Sequence, residues 1–342
     1  MSTPSPLDIE NPDQVRLYLR GRGLFPGDPP GLAVRQLSGG VSCKVALVTR
    51  EGREGEGIVL KQALAKLRVA VEWHSSPRRI HREALGLRWL QRLQPAGSVP
   101  RFLFEDFGSH LLAMSAVPLP HENLKAEFMA GRVEPEAIRQ MGGLLAQIHT
   151  LTGGPGEDVA AVFADRSYFE SLRLEPYYLF AGRSIPEAAG FLTGLVAETR
   201  AHGSALVHGD FSPKNILVHH GRLCLLDHEV IHWGDPAFDV GFALTHFLGK
   251  GHHFAAWRSR FADAAHRFFA TYREAARCGT QTERRAVRHT LGCLLARVAG
   301  RSPLEYLTVA QRERQRRSVL RLLPAPPETV PALIDRFFDS LS

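Results

Sequence analysis

The chain has 342 residues, 44% of them hydrophobic, enough for one large domain or two lobes around a sizeable core. No run approaches the ~18 uncharged apolar residues of a membrane span, and the opening MSTPSPLDIENPDQ lacks the basic-then-apolar order of a secretory signal. The net charge of +7 suits nucleic acid, a membrane surface or an anionic small ligand, while four scattered cysteines (Cys43, Cys224, Cys278, Cys293) without a C-x-x-C pair argue against a disulfide framework or zinc site and for a reducing cytoplasm.

In chain order, NPDQVRLYLRGRG predicts a short helix, with Asn11 as cap, Pro12 at the first helical position and glycine at the end. LAVRQLSGG, VSCKVALVTR and GIVLKQA read as three strands separated by glycine and by the polar turn REGREGEG. A helix follows, capped by Ser76 and started by Pro77, with Ile80, Ala84, Leu87 and Leu90 at helical spacing. PRFLFEDFGSHLLAMSAVP reads as a hairpin turning at Asp106–Ser109. Beyond residue 120 the pattern becomes helical. PEAIRQMGGLLAQIHTL turns Ile138, Met141, Leu145 and Ile148 onto one face. Residues 205–227 interrupt the helices, with ILV and LCLLD flanking the tight turn HHGR. From about Pro236 onward the segments are again helical. The basic stretch RERQRRSVLRLL carries Val319, Leu320, Leu322 and Leu323 and reads as a helix with a solvated outer face. The adjacent pairs His219-His220 and His252-His253 point apart and make no natural chelate.

The chemistry concentrates in LVHGDFSPKNILV. Asp210 and Asn215 stand at the ends of a D-x-x-x-x-N loop, and the hairpin after it delivers Asp227. Phosphoryl transfer needs a carboxylate to orient a hydroxyl and accept its proton, and hard oxygen ligands for Mg²⁺. Asp210 is the candidate base, and Asn215 and Asp227 the candidate metal ligands. Lys61, at the end of the third strand, can meet phosphates if Glu83 on the next helix holds it. Gly39 and Gly40, with Ser42, form a turn that lets backbone approach a phosphate.

These segments resemble the aminoglycoside phosphotransferase and choline kinase family of small-molecule kinases. LVHGDFSPKNILV is similar to its catalytic loop, LLDHEVIHWGDPAFDVGFAL to its metal-binding segment and following helix, LLAQIH to its long C-lobe helix, and LSGGVSCKVALV to its nucleotide-covering hairpin. The resemblance runs from about residue 30 to 250. It implies an α+β, protein-kinase-like two-lobed fold, with a nucleotide-binding lobe (1–117) of antiparallel sheet plus helix and a mainly helical catalytic and substrate lobe (118–342). It implies Asp210 as base, Asn215 and Asp227 on metal, Lys61 on the nucleotide phosphates, Met114–Val117 as the adenine-contacting hinge, and Asp239 as a brace for the catalytic loop.

Two features depart from protein kinases. The glycine turn is not a full G-x-G-x-x-G, and the metal motif reads Asp227-His228-Glu229. The D-x-E form is similar to methylthioribose kinases, which makes Glu229 either a second acidic metal ligand or an exposed carboxylate. His208 and His228 read as structural hydrogen-bonding residues, because Asp210 already fills the base role. Arg173, Tyr177 and Tyr178 in SLRLEPYY read as helix packing rather than pocket lining. The expectation is an ATP- and Mg²⁺-dependent kinase acting on a small-molecule hydroxyl in the cytoplasm, with no nucleic-acid or membrane partner. The basic balance favours an uncharged or anionic alcohol over a polycationic aminoglycoside. The competing reading is a nucleotide-binding scaffold without catalysis.

Overall fold

Alternating apolar residues in the first third of the chain build an antiparallel sheet between two helices. This is seen in a computed structural model, which describes residues 7–23, 31–37, 41–50, 53–69, 72–151 and 157–341. The chain divides into two compact units, Met1–His121 with Cys224–Glu229, and Glu122–Leu223 with Val230–Ser342.

In the smaller unit, α1 (Pro12–Gly21) begins where Asn11 accepts the amide hydrogens of Asp13 and Gln14. Its Val15 and Leu19 pack into a core with Leu32, Ala46, Val48, Leu60 and Leu111. The strands β1 (Leu32–Gln36), β2 (Cys43–Arg50), β3 (Arg53–Ala63), β4 (Phe102–Asp106) and β5 (Leu111–Ser115) lie in the order β1-β2-β3-β5-β4, antiparallel throughout. Strand alternation sends Leu60 into the core with α1 and turns Lys61 to the opposite face. That face meets α2 (Arg79–Leu93), which buries Ile80, Ala84, Leu87 and Leu90 as its spacing predicts.

Two boundaries differ from expectation. The predicted turn REGREGEG is shorter, because β3 begins at Arg53, where pairing with Arg50 overrides the weak strand preference of its Glu and Gly residues. The helix predicted from Pro77 begins at Arg79, because residues 76–80 first close a turn through Arg79 N–H to Ser76 O and Ile80 N–H to Pro77 O.

The larger unit contains β6 (His121–Asn123, starting at the boundary), α3 (Leu124–Met129), α4 (Pro135–His149), α5 (Val159–Val162), α6 (Ser167–Phe169), a π-helical stretch Glu170–Leu179, α7 (Phe180–Ser184) and α8 (Ala189–Ala201). Next come β7 (Ala205–Val207), β8 (Ile216–His219), β9 (Arg222–Leu225, of which Cys224 and Leu225 belong to the smaller unit), β10 (His232–Gly234), and the helices α9 (Ala237–His253), α10 (Arg258–Ala275), α11 (Thr280–Ala299), α12 (Val309–Leu322) and α13 (Val330–Asp339). The β8–β9 turn is His220-Gly221, both with positive φ (46° and 73°), as the expected tight hairpin requires. The buried helix α9 packs against α10 and α11. At Gly241 a Cβ would lie 2.6 Å from His289 Cβ and 2.9 Å from Ala286 O, so only glycine admits so close an approach of α9 to α11. The basic helix α12 buries Val319 and Leu322 and starts with a Thr308–Gln311 capping box.

Candidate functional site

In the smaller unit, β3 and α2 bring Lys61 and Glu83 together from 22 residues apart. Lys61 Nζ lies 2.7 and 2.8 Å from the two Glu83 oxygens and 2.9 Å from Asp227 Oδ1. Burial works against the ammonium, but Asp227 and Glu83 outweigh it and hold Lys61 charged well above its ordinary range. Burial is also the largest influence on Glu83 and pushes its carboxyl up to about 7, against the pull of Lys61. Asp227 sits in the left-handed region at φ 68°, a conformation that costs a side-chain-bearing residue on the order of 1 kcal/mol and so calls for support from its surroundings.

Glu229 is neither exposed nor alone. It is buried, and its Oε2 accepts from Nε of the fully buried Arg79 at 3.0 Å. Arg79 also donates to the carbonyls of Ser75 and Ser76, both at 3.1 Å, and to that of Ser42. One guanidinium thus ties the end of the glycine turn, the start of α2 and the D-x-E segment together. Met114 is buried on β5 opposite Val59 and Phe102, and Val117 follows the strand, half-buried. Gly39 and Gly40 lie outside the described residues.

In the larger unit, β7 leads directly into the D-x-x-x-x-N loop. Asp210 is 2% exposed, and Asn215 Nδ2 donates to its Oδ2 at 2.7 Å and to its carbonyl at 2.9 Å. Lys214 Nζ stands 2.9 Å from Asp210 Oδ2, and Arg173 Nη2 stands 3.1 Å from Oδ1. Arg173 also donates from Nε to Gly209 O at 2.7 Å. Gly209 has φ 77°, and a Cβ there would lie 2.8 Å from Val230 Cγ2, so the loop needs glycine between His208 and Asp210.

The loop is held from α9. Asp239 accepts the amide hydrogens of His208 at 2.6 Å and Gly209 at 2.8 Å, and its Oδ2 is 3.1 Å from His149 Nε2. Burial is the largest influence and opposes its charge, but the His149 bond, the charges of His149 and His208 and the Gly209 amide together outweigh it and keep Asp239 below the usual carboxylate range. His208 Nδ1 accepts from the Asp210 amide at 3.1 Å, and His228 is buried.

Sequence reading missed three cations. Lys214 sits four residues after Asp210, a spacing that could have flagged it. Arg173 does pack within its helix, yet it also meets Asp210 from 37 positions away, and no local pattern signals that. Arg79 is one of two adjacent arginines, and only the helix phase separates them. Tyr177 and Tyr178 are buried, in keeping with packing. Among the described residues there is no group of three or more His, Cys, Asp or Glu side chains arranged to hold a metal ion, and no helix is long and apolar enough to cross a membrane.

A five-stranded antiparallel sheet with a helix against each face, and a mainly helical second unit carrying a buried D-x-x-x-x-N loop, is the α+β architecture of protein-kinase-like phosphotransferases. The fold is shared with a choline/ethanolamine kinase family protein from Mesorhizobium loti (TM-score 0.55, 17% identity, 96% of this chain and 98% of that one). It is shared also with the amicoumacin kinase hAmiN, solved with AMP-PNP, Ca²⁺ and Ami (TM-score 0.56, 14% identity, 91% and 94%). Residues 33–278 match the model of the phosphotransferase enzyme family (APH), and the chain belongs to that family. A methylthioribose kinase from Citrobacter koseri is 29% identical over 217 residues, 56% of this chain and 54% of that protein. One from Klebsiella pneumoniae is 27% identical over 216 residues. The chain spans about half the length of these curated relatives.

Proposed function

We propose that the chain is a small-molecule kinase that moves the γ-phosphoryl group of ATP to a hydroxyl of its acceptor with Mg²⁺. The observation that carries this reading is the buried Asp210 carboxylate, fixed by Asn215 at 2.7 Å and charge-balanced by Lys214 and Arg173. Asp210 takes the hydroxyl proton as the acceptor oxygen bonds to the γ-phosphorus and the bond to ADP breaks. Lys61, steadied by Glu83, neutralises phosphate charge. Residues 1–117 serve as the nucleotide-binding lobe, with Gly39, Gly40 and Ser42 over the phosphates and Met114–Val117 against adenine. Residues 118–342 serve as the catalytic and substrate lobe.

The donor set suits a hard divalent cation. Asn215 spends its amide nitrogen on Asp210, so the amide oxygen is what it has for a cation, and Asp227 adds a carboxylate. These two residues would hold Mg²⁺, which when bound offsets the charge on the transferring phosphate. Glu229 could join them only in competition with Arg79. All four cysteines are free, as a reducing cytoplasm keeps them.

The test is an acceptor screen of sugars, amino alcohols, choline and aminoglycosides with ATP and Mg²⁺, scored for ADP and a phosphorylated product by mass spectrometry. Acceptor-dependent ADP with its matching product is expected. Tight ATP binding with no product from any acceptor would replace this reading with a non-catalytic nucleotide-binding scaffold.

A further inference from the structure

The larger unit carries a second group of buried polar side chains that the transfer chemistry does not use. Phe242, His246 and Lys250 recur every four residues on one face of α9. Lys250 is 1% exposed, yet among the described residues its ammonium has no ion-pair or hydrogen-bond partner. Its neighbours are the rings of Tyr306, 5.5 Å away, and Phe128, 5.8 Å away. The Tyr306 hydroxyl and His246 Nε2 are buried and lack hydrogen-bond partners too. Arg297, on α11, donates from Nη1 to Ser302 O and Oγ at 2.9 and 3.1 Å, while its Nε is buried and unused.

This group begins one aromatic layer from the catalytic loop. Arg297 lies over the rings of Tyr177 and Phe242 at 4.9 and 5.2 Å. Arg173, which contacts Asp210, lies over the same two rings at 5.8 and 5.9 Å. The charges around it are mostly positive. Burial lowers the His246 pKa well below its ordinary value, and Lys250, Arg297, Lys214 and Lys125 lower it further. Glu305, the carboxylate that acts on Lys250, already pairs with Lys125. A fold that needed only packing here would do better with leucine or methionine, because an unpaired buried charge destabilises the native state. Between positions 242 and 250 the helix rises about 12 Å, the length of a small metabolite.

We propose that Lys250, with His246, Tyr306 and Arg297, binds an anionic group, a carboxylate or a phosphate, on the acceptor whose hydroxyl Asp210 deprotonates. The inference rests on the phosphotransferase reading for the role of Asp210. The anion supplies the missing counter-charge, so acceptor binding and burial of Lys250 favour each other.

Sulfate and inorganic phosphate are titrated into the full chain and into the Lys250→Met and Tyr306→Phe variants, with and without a saturating non-hydrolysable ATP analogue and Mg²⁺, while melting is followed. Methionine matches the lysine stem and removes an unpaired charge, so the variant keeps the fold. The expected result is a stabilising shift that persists with the analogue bound and falls by at least half in Lys250→Met. A shift abolished by the analogue belongs to the nucleotide site. An equal shift in all variants is general salting. Either of these, or no shift, overturns the proposal, and none requires turnover.

In a second arm, glycerol, glycerate and glycerol 3-phosphate are compared as acceptors. At least a tenfold higher kcat/KM for an acid, lost in Lys250→Met, supports the site and shows which oxyanion it prefers. A preference for glycerol overturns it and leaves the phosphotransferase reading standing. If none of the three is turned over, the melting arm decides.

Discussion

Lys61 and Lys250 are both withdrawn from water, one in each unit, and their surroundings treat the charge in opposite ways. Lys61 meets Glu83 and Asp227 within 2.9 Å, and its charge is held well above the ordinary range in spite of burial. Lys250 meets two aromatic rings, and burial, helped by Lys125 and Arg297, pushes it down to about 7. Burial has the same sign at both sites, so the neighbouring charges decide the outcome: carboxylates in direct contact at Lys61, and at Lys250 the cations Lys125 and Arg297 against the single carboxylate Glu305. Where the counter-charge is built in, the cation is permanent equipment. Where it is left out, charge depends on what arrives.

The largest effect expected concerns the carboxylate of the larger unit. Asp210→Asn should lower kcat by ~10²–10⁴, with the circular dichroism spectrum unchanged, because the amide keeps the shape but cannot take the proton. If Asp210 served only to neutralise Lys214 and Arg173, as Glu83 does Lys61, the variant would lose stability and keep kcat.

Lys61→Met should destabilise the fold by about 3–5 kcal/mol in urea titration, because it strands Glu83, 1% exposed, without its partner. ATP use should be lost with it, and adding Glu83→Gln should restore part of the stability and none of the ATP use. A stability unchanged by Lys61→Met would mean that the built-in pairing contributes nothing.

ATP with Mg²⁺ at ~100 times Kd should add about 2.7 kcal/mol, a melting shift of a few degrees. Asp227→Ala should erase the metal-dependent part and leave Lys61 with Glu83 alone. Equal shifts in wild type and variant would remove Asp227 from the metal site.

Lys250→Met sharpens the contrast most directly, with a gain on the order of 1 kcal/mol. An unfolded lysine titrates near 10.5, while Lys250 in the fold titrates at about 7. Between those values the unfolded chain holds the extra proton, so wild-type stability at this site rises with pH. The variant's advantage should therefore be full below pH 7 and fade toward pH 10.5, as chemical denaturation across that range would show. A variant less stable than wild type at pH 6 would break the comparison.

Legibility from sequence followed the range of the forces involved. Asn11 at its cap, the apolar face of α2 and the His220-Gly221 turn obey rules that span a few residues, and each is read correctly from its neighbours. Lys61 and Glu83 were legible at longer range because strand and helix phase aim both side chains. Arg173 and Arg79 were not, since their partners Asp210 and Glu229 lie 37 and 150 positions away. The Lys250 group was hidden for a further reason. A buried lysine on α9 looks like any surface cation in a helix pattern until Tyr306 and Phe128 cover it. The π-helical stretch through Pro176 likewise departs from the 3.6-residue period on which pattern reading depends.

The smaller unit is not contiguous, for it takes in Cys224–Glu229 from far downstream. During synthesis the strands and α2 can assemble once His121 has emerged, with Lys61 and Glu83 already in reach of each other. Asp227 leaves the ribosome only roughly a hundred residues later, on the order of 5–20 s at cellular elongation rates. If the strands and α2 assemble in that interval, Arg79 would wait for Glu229 and Lys61 for Asp227, the carboxylates they meet in the complete chain. A split of the gene at residue 121 would make that interval permanent. The first fragment would carry the lysine and none of the D-x-E segment, and complementation by the second would require the strand β9 to return its end to a unit already formed.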